Sequence, residues 1–499
     1  ELFQREQARF MRSLNSVTDE VPGPKRTQNR LEETAQTVFR PRFGFENAPD
    51  TDSSLEQNRV WGRDILERSK TTEIGLQALK DNELSSAAQV DELIDSVINA
   101  SKAWGKKSGA ERAEVLRNVG VQIGLNRDKF LEVMAAEAGK TLDQGDTEVS
   151  EAIDFANYYA LLAEKQEKMD GASPVPVNLT LVIPPWNFPT AIPTGGVLAA
   201  LAAGSGVIFK PATLTARTGA LIAEILWEAG VPRELMRLIK VTDKEAGKKL
   251  ISSPAVDRLI LTGGYETAET FRSWRKDLPL FGETSGKNSI IVTPNADLDL
   301  AVKDVVQSAF GHAGQKCSAA STVILVGSVA TSKRFHHQLV DAVQSLHVAY
   351  PQDIESEMGP VIAPAEGKLL SGLTELDEGE HWVIEPKKLD ESGRLWSPGV
   401  RAGVKPNSEY HLTEYFGPIL GVMTAKTLEE AIELQNATDY GLTAGLHSLD
   451  SGELKLWLSK VQAGNLYVNR GITGAIVQRQ PFGGWKKSTV GSGTKAGGP

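Results

Sequence analysis

Four residues combine a chemically active side chain with a local sequence that suits its use. They are Cys317 in G-H-A-G-Q-K-C-S-A-A-S, Glu283 in P-L-F-G-E-T-S-G-K-N-S, Asn187 in P-P-W-N-F-P and Lys210 in G-V-I-F-K-P-A. A thiolate attacks a carbonyl carbon, a carboxylate accepts a proton, an amide N–H holds an oxyanion and a lysine binds a ribose or phosphate. Together these groups suit covalent chemistry on a carbonyl compound.

Cys317 is the only cysteine of the chain. Its flanks are small, polar and rich in glycine, whereas a buried structural cysteine prefers apolar neighbours. Lys316 and closely approaching backbone amides are expected to favour the thiolate. The residues alone leave two interpretations open, a nucleophile and a structural thiol. A single cysteine also excludes an intramolecular disulfide and predicts a reducing, cytoplasmic compartment.

The other three residues also have two interpretations each. Glu283 follows an apolar run, where a raised pKa would suit a general base, or it is a solvated loop glutamate. Asn187 is an oxyanion donor or a turn residue before Phe-Pro. Lys210 ends an apolar strand either as a ligand contact or as a solvated lysine. Their roles depend on where the fold brings them.

Length, charge and composition exclude several classes of protein. The chain has 499 residues, enough for two or three domains, and a formal net charge of −10. This charge repels phosphate backbones, so no nucleic-acid partner is expected. The uncharged stretch 181–209 is long enough to span a membrane, but its four prolines exclude a membrane helix. No H-E-x-x-H motif and no cysteine cluster is present, so no metal is expected.

The hydrophobic pattern changes along the chain. Residues 1–55 are polar and weakly periodic, which predicts an irregular wrapping arm. Amphipathic helices dominate from 54 to 169, and short apolar strands then alternate with helices. This alternation predicts an α/β fold with a doubly wound parallel sheet, which binds ligands at the carboxyl ends of its strands. A second α/β pattern follows, in which the polar region 373–406 is predicted to be a peripheral excursion.

Seven motifs, in this order, resemble those of the aldehyde dehydrogenase superfamily. They are P-P-W-N-F-P, F-K-P-A, L-T-G-G, G-E-T-S-G-K-N, G-Q-K-C-S, Y-F-G-P and Q-P-F-G-G-W, and the similarity covers about residues 60 to 499. The resemblance implies a dinucleotide-binding domain in 56–281 and a catalytic domain in 282–464. Residues 465–499 are then a substrate-anchor loop and tail, behind the N-terminal arm 1–55.

The resemblance also implies a role for each candidate residue. Cys317 attacks the aldehyde, Asn187 and the Cys317 backbone N–H hold the oxyanion, and Glu283 activates the water that hydrolyses the thioester. The implied cofactor is NAD. Its contacts correspond to Trp186, Lys210, Gly263, Gly264, Glu414 and Phe416.

Two positions depart from the pattern of the superfamily. Many NAD-dependent members carry a glutamate three residues after the lysine, where this chain has Thr213. Without that carboxylate a 2′-phosphate is not repelled, so NADP is an alternative cofactor. The serine of the usual T-G-S is Gly264 here, which leaves only backbone donors for a phosphate.

Longer motifs narrow the resemblance to members that oxidise L-glutamate γ-semialdehyde to L-glutamate in proline catabolism. These motifs are E-T-S-G-K-N, G-Q-K-C-S-A-A-S, R-G-I-T-G-A-I-V-Q-R-Q-P-F-G-G and the late G-S-G-T-K-A-G-G-P. In such enzymes the substrate carboxylate is held by residues that correspond to Ser318, Gly474 and Ala475. Phe482 corresponds to the residue against the aliphatic chain of the substrate.

The segment F-E-N-A-P-D-T-D-S-S-L-E-Q-N-R-V-W resembles bifunctional proteins that also carry a proline dehydrogenase domain. A first residue other than Met agrees with a processed chain or a piece of a longer protein. The resemblance implies a homo-oligomer, either cytoplasmic or attached at the inner membrane through a partner domain. Three alternatives stay open: another hydrolytic semialdehyde dehydrogenase such as a succinic semialdehyde enzyme, a coenzyme-A-acylating enzyme, and a non-catalytic scaffold.

Overall fold

The structure is a computed structural model and describes residues 2–17 and 23–491. Its first part is almost entirely helical, as the periodicity of residues 54–169 predicts. The elements are α1 (Leu2–Asn15), α2 (Glu56–Ser69), α3 (Leu76–Asp81), β1 (Glu83–Leu84), α4 (Gln89–Trp104), α5 (Gly109–Leu125), α6 (Arg127–Ala138) and α7 (Leu142–Gln166). Helix α6 ends at Gly139, whose φ of 66° is the left-handed conformation that glycine adopts without strain.

The second part builds a six-stranded sheet. Its elements are β2 (Leu179–Ile183), α8 (Ala191–Ala202), β3 (Gly206–Phe209), α9 (Ala216–Glu228), β4 (Met236–Leu238), β5 (Lys240–Val241), α10 (Lys244–Ser252), β6 (Arg258–Gly263), α11 (Tyr265–Trp274) and β7 (Leu280–Thr284). The strand order is β7-β6-β2-β3-β4, all parallel, and a strand from the C-terminal segment joins the outer edge of β7.

Helices cover both faces of this sheet. Val182 and Phe209 pack in a core formed with helices α5 to α9, whereas Leu181 and Ile208 point to a second core formed with α4, α10 and α11. The predicted doubly wound sheet is therefore confirmed. The chain runs from β2 outwards to β4 and then returns to β6 on the other side of β2. The ligand crevice of such a sheet lies where this direction reverses, at the carboxyl ends of β2 and β6.

The third part forms a seven-stranded sheet. Its elements are β8 (Asn288–Val292), α12 (Leu298–Phe310), β9 (Ala320–Val326), α13 (Lys333–Gln344), α14 (Gly367–Thr374), β10 (His381–Ile384), β11 (Gly399–Ala402), α15 (Glu409–Leu412), β12 (Ile419–Ala425), α16 (Leu428–Asn436), β13 (Tyr440–Gly441), β14 (Thr443–His447), α17 (Ser451–Lys460), β15 (Asn465–Val468), β16 (Trp485–Lys486) and β17 (Thr489–Val490). The order is β10-β11-β12-β9-β8-β14-β15, with only β10 antiparallel.

The C-terminal segment serves three sheets. β15 is an edge strand of the seven-stranded sheet, β16 pairs with β13, and β17 pairs with β7. The anchor loop, defined as residues 473–480, lies between β15 and β16. The late motif beyond Gly491 falls outside the described residues.

Two predictions about the fold are wrong. The polar region 373–406 is not only peripheral, because it supplies the edge strand β10 and the strand β11 beside it. The arm is not irregular throughout, because α1 is a regular helix, although none of its residues is buried. The rest of the arm docks as predicted: Arg30 is buried and its guanidinium donates to the Pro49 carbonyl oxygen at 2.9 Å.

Candidate active site

Cys317 lies in the nucleophile loop, defined as residues 311–319, between α12 and β9. Asn288, at the start of β8, fixes this loop: its Nδ2 donates to the carbonyl oxygens of Cys317 at 2.7 Å and Ala319 at 3.0 Å. Its Oδ1 accepts from the backbone N–H of Thr443 at 3.0 Å. The nucleophile loop is thus tied to two central strands, β8 and β14, by one buried amide.

The backbone around the nucleophile is tightly packed and strained. His312 and Ala313 have φ values of 54° and 53°, a conformation that non-glycine residues rarely adopt. A Cβ at Gly286 would lie 2.5 Å from the Cys317 carbonyl oxygen, so only glycine permits this approach. These restraints hold the sulfur in one place.

Asn187 lies beside the nucleophile loop, after β2. Its side chain is buried, and its Nδ2 donates to the Gln315 carbonyl oxygen at 3.0 Å. Gln315 is itself fixed, because its amide donates to the Pro360 carbonyl oxygen and accepts from the Ile362 N–H. The second N–H of the Asn187 amide remains available, as an oxyanion donor requires.

One cavity brings together all the predicted catalytic and substrate-binding residues. Asn187, Glu283, Cys317, Ser318, Gly474, Ala475 and Phe482 line it together with Glu151, Phe155 and Thr262. Glu283 reaches this cavity because it lies near the end of β7, where it pairs with Thr262 of β6. Residues far apart in the sequence thus surround a single small volume.

The thiol of Cys317 is not predisposed to ionise. Burial raises its pKa to about 12, and the negative charges of Glu283 and Glu414 add to the effect. The Ser318 and Cys317 backbone N–H groups lower this pKa, in the predicted direction, but burial outweighs them. Burial also lowers the pKa of Lys316, to about 8, so this ammonium is itself poorly stabilised. The thiol needs a base, and Glu283 lines the same cavity.

A second cavity lies on the other side of the nucleophile loop. Glu414 and Phe416 line it, and the Glu414 Oε1 accepts from the Gly286 N–H at 2.8 Å. Burial raises the pKa of Glu414, while the Gly286 N–H bond opposes that shift. The rings of Trp186 and Phe416 meet edge to face with centroids 5.4 Å apart. The cavity therefore combines a carboxylate with an aromatic wall.

The remaining predicted cofactor residues lie at the carboxyl edge of the first sheet, outside these two cavities. Lys210 follows β3, and burial lowers its pKa. The nearest acceptor of its ammonium is the Pro211 carbonyl oxygen at 3.5 Å, so the amine has no strong partner. Gly263 ends β6, Gly264 is the N-cap of α11, and Thr213 is exposed in a short 3₁₀ turn after Lys210.

Comparison with known proteins agrees with this arrangement. The model of the aldehyde dehydrogenase family matches residues 74–498.

The chain belongs to the aldehyde dehydrogenase family.

Named relatives within the family are 1-pyrroline-5-carboxylate dehydrogenases. That of Geobacillus sp. (strain WCH70) is 34% identical over 455 residues, which are 86% of each chain. That of Bacillus subtilis (strain 168) is 32% identical and covers 85% of each chain. The chain is thus similar to these enzymes over most of its length.

Solved structures have the same fold. A proline utilization A (PutA) from Corynebacterium freiburgense is 47% identical, with a TM-score of 0.86, and the match covers 93% of this chain but 46% of the other. A 1-pyrroline-5-carboxylate dehydrogenase from Thermus with bound NAD is 29% identical, with a TM-score of 0.82, and covers 91% and 96%. The chain therefore spans about half the length of the PutA and nearly all of the Thermus enzyme.

Glu151 is a cavity residue of this family member that the sequence analysis missed. It lies on α7, four residues before Phe155, so both side chains face the same cavity. Burial raises the Glu151 pKa to about 8, and the negative charges of Glu148 and Asp154 contribute. A carboxyl group with helical spacing to an aromatic residue is a weak signal in a sequence, because surface helices show it often.

The described residues contain neither a metal-binding cluster nor a membrane-spanning helix. Within 2–17 and 23–491, no group of three or more histidine, cysteine, aspartate or glutamate side chains is arranged to hold a metal ion. No helix in the same residues is long and apolar enough to cross a membrane.

Proposed function

We propose that this chain oxidises L-glutamate γ-semialdehyde to L-glutamate with NAD, through a thioester on Cys317. The observation that carries the proposal is the single cavity in which Cys317, Glu283 and Asn187 face the anchor loop. The named relatives, which are 1-pyrroline-5-carboxylate dehydrogenases, support the same substrate.

The first step forms a bond between sulfur and the aldehyde carbon. Glu283 accepts the thiol proton, which removes the charge repulsion that raises the Cys317 pKa. The sulfur then attacks the carbonyl carbon, and the Asn187 amide and the Cys317 backbone N–H hold the oxygen anion. Cys317 is fixed by Asn288, so the attack needs little rearrangement of the loop.

Glu414 and the aromatic pair suit the nicotinamide end of a dinucleotide. Glu414 would accept from ribose hydroxyls, and the apolar rings of Trp186 and Phe416 would lie beside the nicotinamide. Lys210, at the carboxyl edge of the first sheet, would donate to the rest of the dinucleotide. NAD held by these residues would supply the hydride acceptor that turns the thiohemiacetal into a thioester. The exposed Thr213 carries no charge against a 2′-phosphate, so NADP is a weaker alternative.

Hydrolysis completes the reaction. Glu283 first releases the thiol proton to solvent and then takes a proton from water; the resulting hydroxide adds to the thioester carbon, and Asn187 again holds the oxyanion. The carbon–sulfur bond then breaks, the sulfur takes the proton from Glu283 so that the Cys317 thiol is restored, and the acid product leaves as a carboxylate after losing its own proton to solvent.

The far end of the cavity suits an α-amino acid group. Among the described residues, the backbone N–H groups of Gly474 and Ala475 have no hydrogen-bond partner, and Ser318 adds a hydroxyl. Such donors suit a carboxylate. Glu151 supplies a negative charge for the ammonium, and Phe155 with Phe482 lines the space beside the aliphatic chain.

The test is NADH formation, followed by absorbance, with a matched set of aldehydes. Glutamate semialdehyde should give the highest kcat/KM. The same carbon chain without the ammonium, 5-oxopentanoate, should follow, then succinic semialdehyde, and propanal last. Equal kcat/KM for propanal and glutamate semialdehyde would reject the substrate, and the highest value for succinic semialdehyde would favour the alternative enzyme.

The likeness to PutA supports three further parts of the proposal. The aldehyde is supplied by a proline dehydrogenase domain or protein, the protein is a homo-oligomer, and it is cytoplasmic or bound peripherally to the inner membrane. Sedimentation of the purified chain, alone and with a proline dehydrogenase, measures the first two.

A further inference from the structure

The N-terminal arm bonds to the anchor loop through the side chain of Asn47. Its Nδ2 donates to the Asp154 Oδ2 at 2.7 Å and to the Val477 carbonyl oxygen at 3.0 Å. Its Oδ1 accepts from the Arg479 Nε at 3.0 Å. One side chain therefore bonds to α7 on one side and to the anchor loop on the other.

Two of the partners of Asn47 are firmly placed. Asp154 is buried and also accepts from the Ala48 N–H at 2.6 Å, so two bonds join the arm to this carboxylate of α7. The Val477 side chain is buried in the core that α7 shares with the first sheet. Asn47 thus lies at a defined position between α7 and the anchor loop.

The anchor loop also has bonds of its own. Its internal bonds form a small turn, in which Ile476 donates to the Gln480 side chain at 2.9 Å and accepts from the Arg479 N–H at 2.9 Å. Towards α7, Tyr158 and the Gln478 side chain form a hydrogen bond. Asn47 adds a link in which one side chain bonds to both α7 and the loop.

The spacing between α7 and the anchor loop helps to shape the substrate cavity. Glu151 and Phe155, from the same helix as Asp154, line the cavity together with Gly474 and Ala475 of the anchor loop. The carboxylate and ammonium of an α-amino acid leave the same carbon atom, so both groups of residues must reach one point at once. A simple alkanal makes neither contact and does not depend on this distance.

We propose that Asn47 is a positioning residue that sets the separation of α7 and the anchor loop and so determines the preference for an α-amino acid aldehyde. This inference rests on the proposed function for the identity of the substrate. The role of Asn47 in linking α7 to the anchor loop does not depend on that function. It assigns a specificity role to an arm residue that touches neither the substrate cavity nor the reacting atoms.

The test uses Asn47→Ala in the full chain, with Gln28→Ala as the matched control. Gln28 is another amide of the arm and makes a similar set of bonds, to Asp50, Asp52 and Asn58, but none to the anchor loop. Asn47→Ala should lower the ratio of kcat/KM for glutamate semialdehyde to kcat/KM for propanal by about tenfold, mainly through KM. Gln28→Ala should leave that ratio unchanged.

Arg479→Ala removes one of the three Asn47 bonds and should lower the ratio by about threefold. If the bonds act as one unit, the double variant Asn47→Ala, Arg479→Ala should lower the ratio no further than Asn47→Ala alone. An equal fall in kcat/KM for both aldehydes, or the same effect from Gln28→Ala, would show a general loss of structure and overturn the proposal.

Hydrogen exchange makes the result independent of the substrate. In the absence of any ligand, Asn47→Ala should speed amide exchange in 473–480, whereas Gln28→Ala should not. If the wild-type protein does not prefer glutamate semialdehyde, the proposed function fails while this readout still decides whether Asn47 holds the loop. Unchanged exchange in 473–480 would overturn the role of Asn47.

Discussion

The nucleophile loop and the anchor loop line the same cavity but are held in different ways. The nucleophile loop is fixed by buried amides, Asn288 and Gln315, and by strained backbone at His312 and Ala313. The anchor loop has its own small turn and is held from outside by Asn47. In the proposed function, the internal bonds of the first loop keep fixed geometry at the reacting atoms, and the outside support of the second acts on the far end of the substrate.

This difference predicts two classes of variants. Apart from Ser318, a change in the nucleophile loop or its supports should affect every aldehyde equally, because in the proposed function all of them react at Cys317. A change at Ser318, in the anchor loop or at the α7 residues of the cavity should affect only aldehydes with the amino acid group.

The largest effect is expected from Cys317→Ser. Loss of the only thiol should lower kcat by at least about a thousandfold for all aldehydes, because a serine hydroxyl is a much weaker nucleophile here. Binding of NAD, measured by quenching of tryptophan fluorescence, should be retained. Since Cys317 is the only cysteine, alkylation of one thiol should abolish the wild-type activity; full activity after complete alkylation would contradict the assignment.

Asn288→Ala should have the next largest effect. It leaves two carbonyl oxygens of the nucleophile loop and the Thr443 N–H without their partner, which costs about 2–4 kcal/mol of folding free energy. Displacement of the sulfur should lower kcat by about a hundredfold with little change in the ratio between glutamate semialdehyde and propanal. Thermal unfolding and kinetics on both aldehydes measure the two effects. A selective loss of one substrate would contradict the division between the loops.

The sequence predicts the nucleophile side better than the anchor side for a physical reason. Cys317, Glu283 and Asn187 lie in short motifs whose neighbours, such as Gly286 and Asn288, are within a few positions. The pKa of Cys317 could not be predicted, because burial in the folded protein raises it most. The charges that add to this effect, on Glu283 and Glu414, lie far along the chain. Contacts in space override neighbours in sequence.

The fold shows the same limit. Apolar strands such as β2 and β3 are buried on both faces and are evident in the sequence. Strand β11 contains Arg401, which is buried because it pairs with Glu380 at 2.9 Å, so its segment appears polar and peripheral. Asn47 contacts Val477 across 430 positions, and no local pattern indicates such a pair.

Glu151→Gln tests the α7 residues of the cavity. It should raise KM for glutamate semialdehyde about tenfold and change KM for propanal little. The Glu151 carboxyl has a pKa of about 8, raised by burial, so it is neutral below this pH and charged above it. An ammonium favours the charged form. KM of the wild type relative to Glu151→Gln should therefore fall as pH rises through about 8.

The wild type and Glu151→Gln are both measured at each pH, so that titration and ring closure of the substrate cancel in the ratio of their KM values. A ratio that does not change with pH would show that Glu151 does not meet the ammonium. With propanal, the ratio should stay flat across the same range.

The smallest effect is expected at Thr213, which belongs to neither loop. Thr213→Glu places a carboxylate three residues after Lys210, on an exposed turn where the fold tolerates a longer side chain. The carboxylate accepts the 2′-hydroxyl of NAD and repels the 2′-phosphate of NADP, so the ratio of kcat/KM for NAD to that for NADP should rise about fivefold. Thr213→Gln, of equal length but uncharged, should raise it less. The preference among aldehydes should be unchanged in both variants, because the cofactor edge of the sheet is separate from the two loops. An unchanged NAD to NADP ratio would show that another residue sets the cofactor preference.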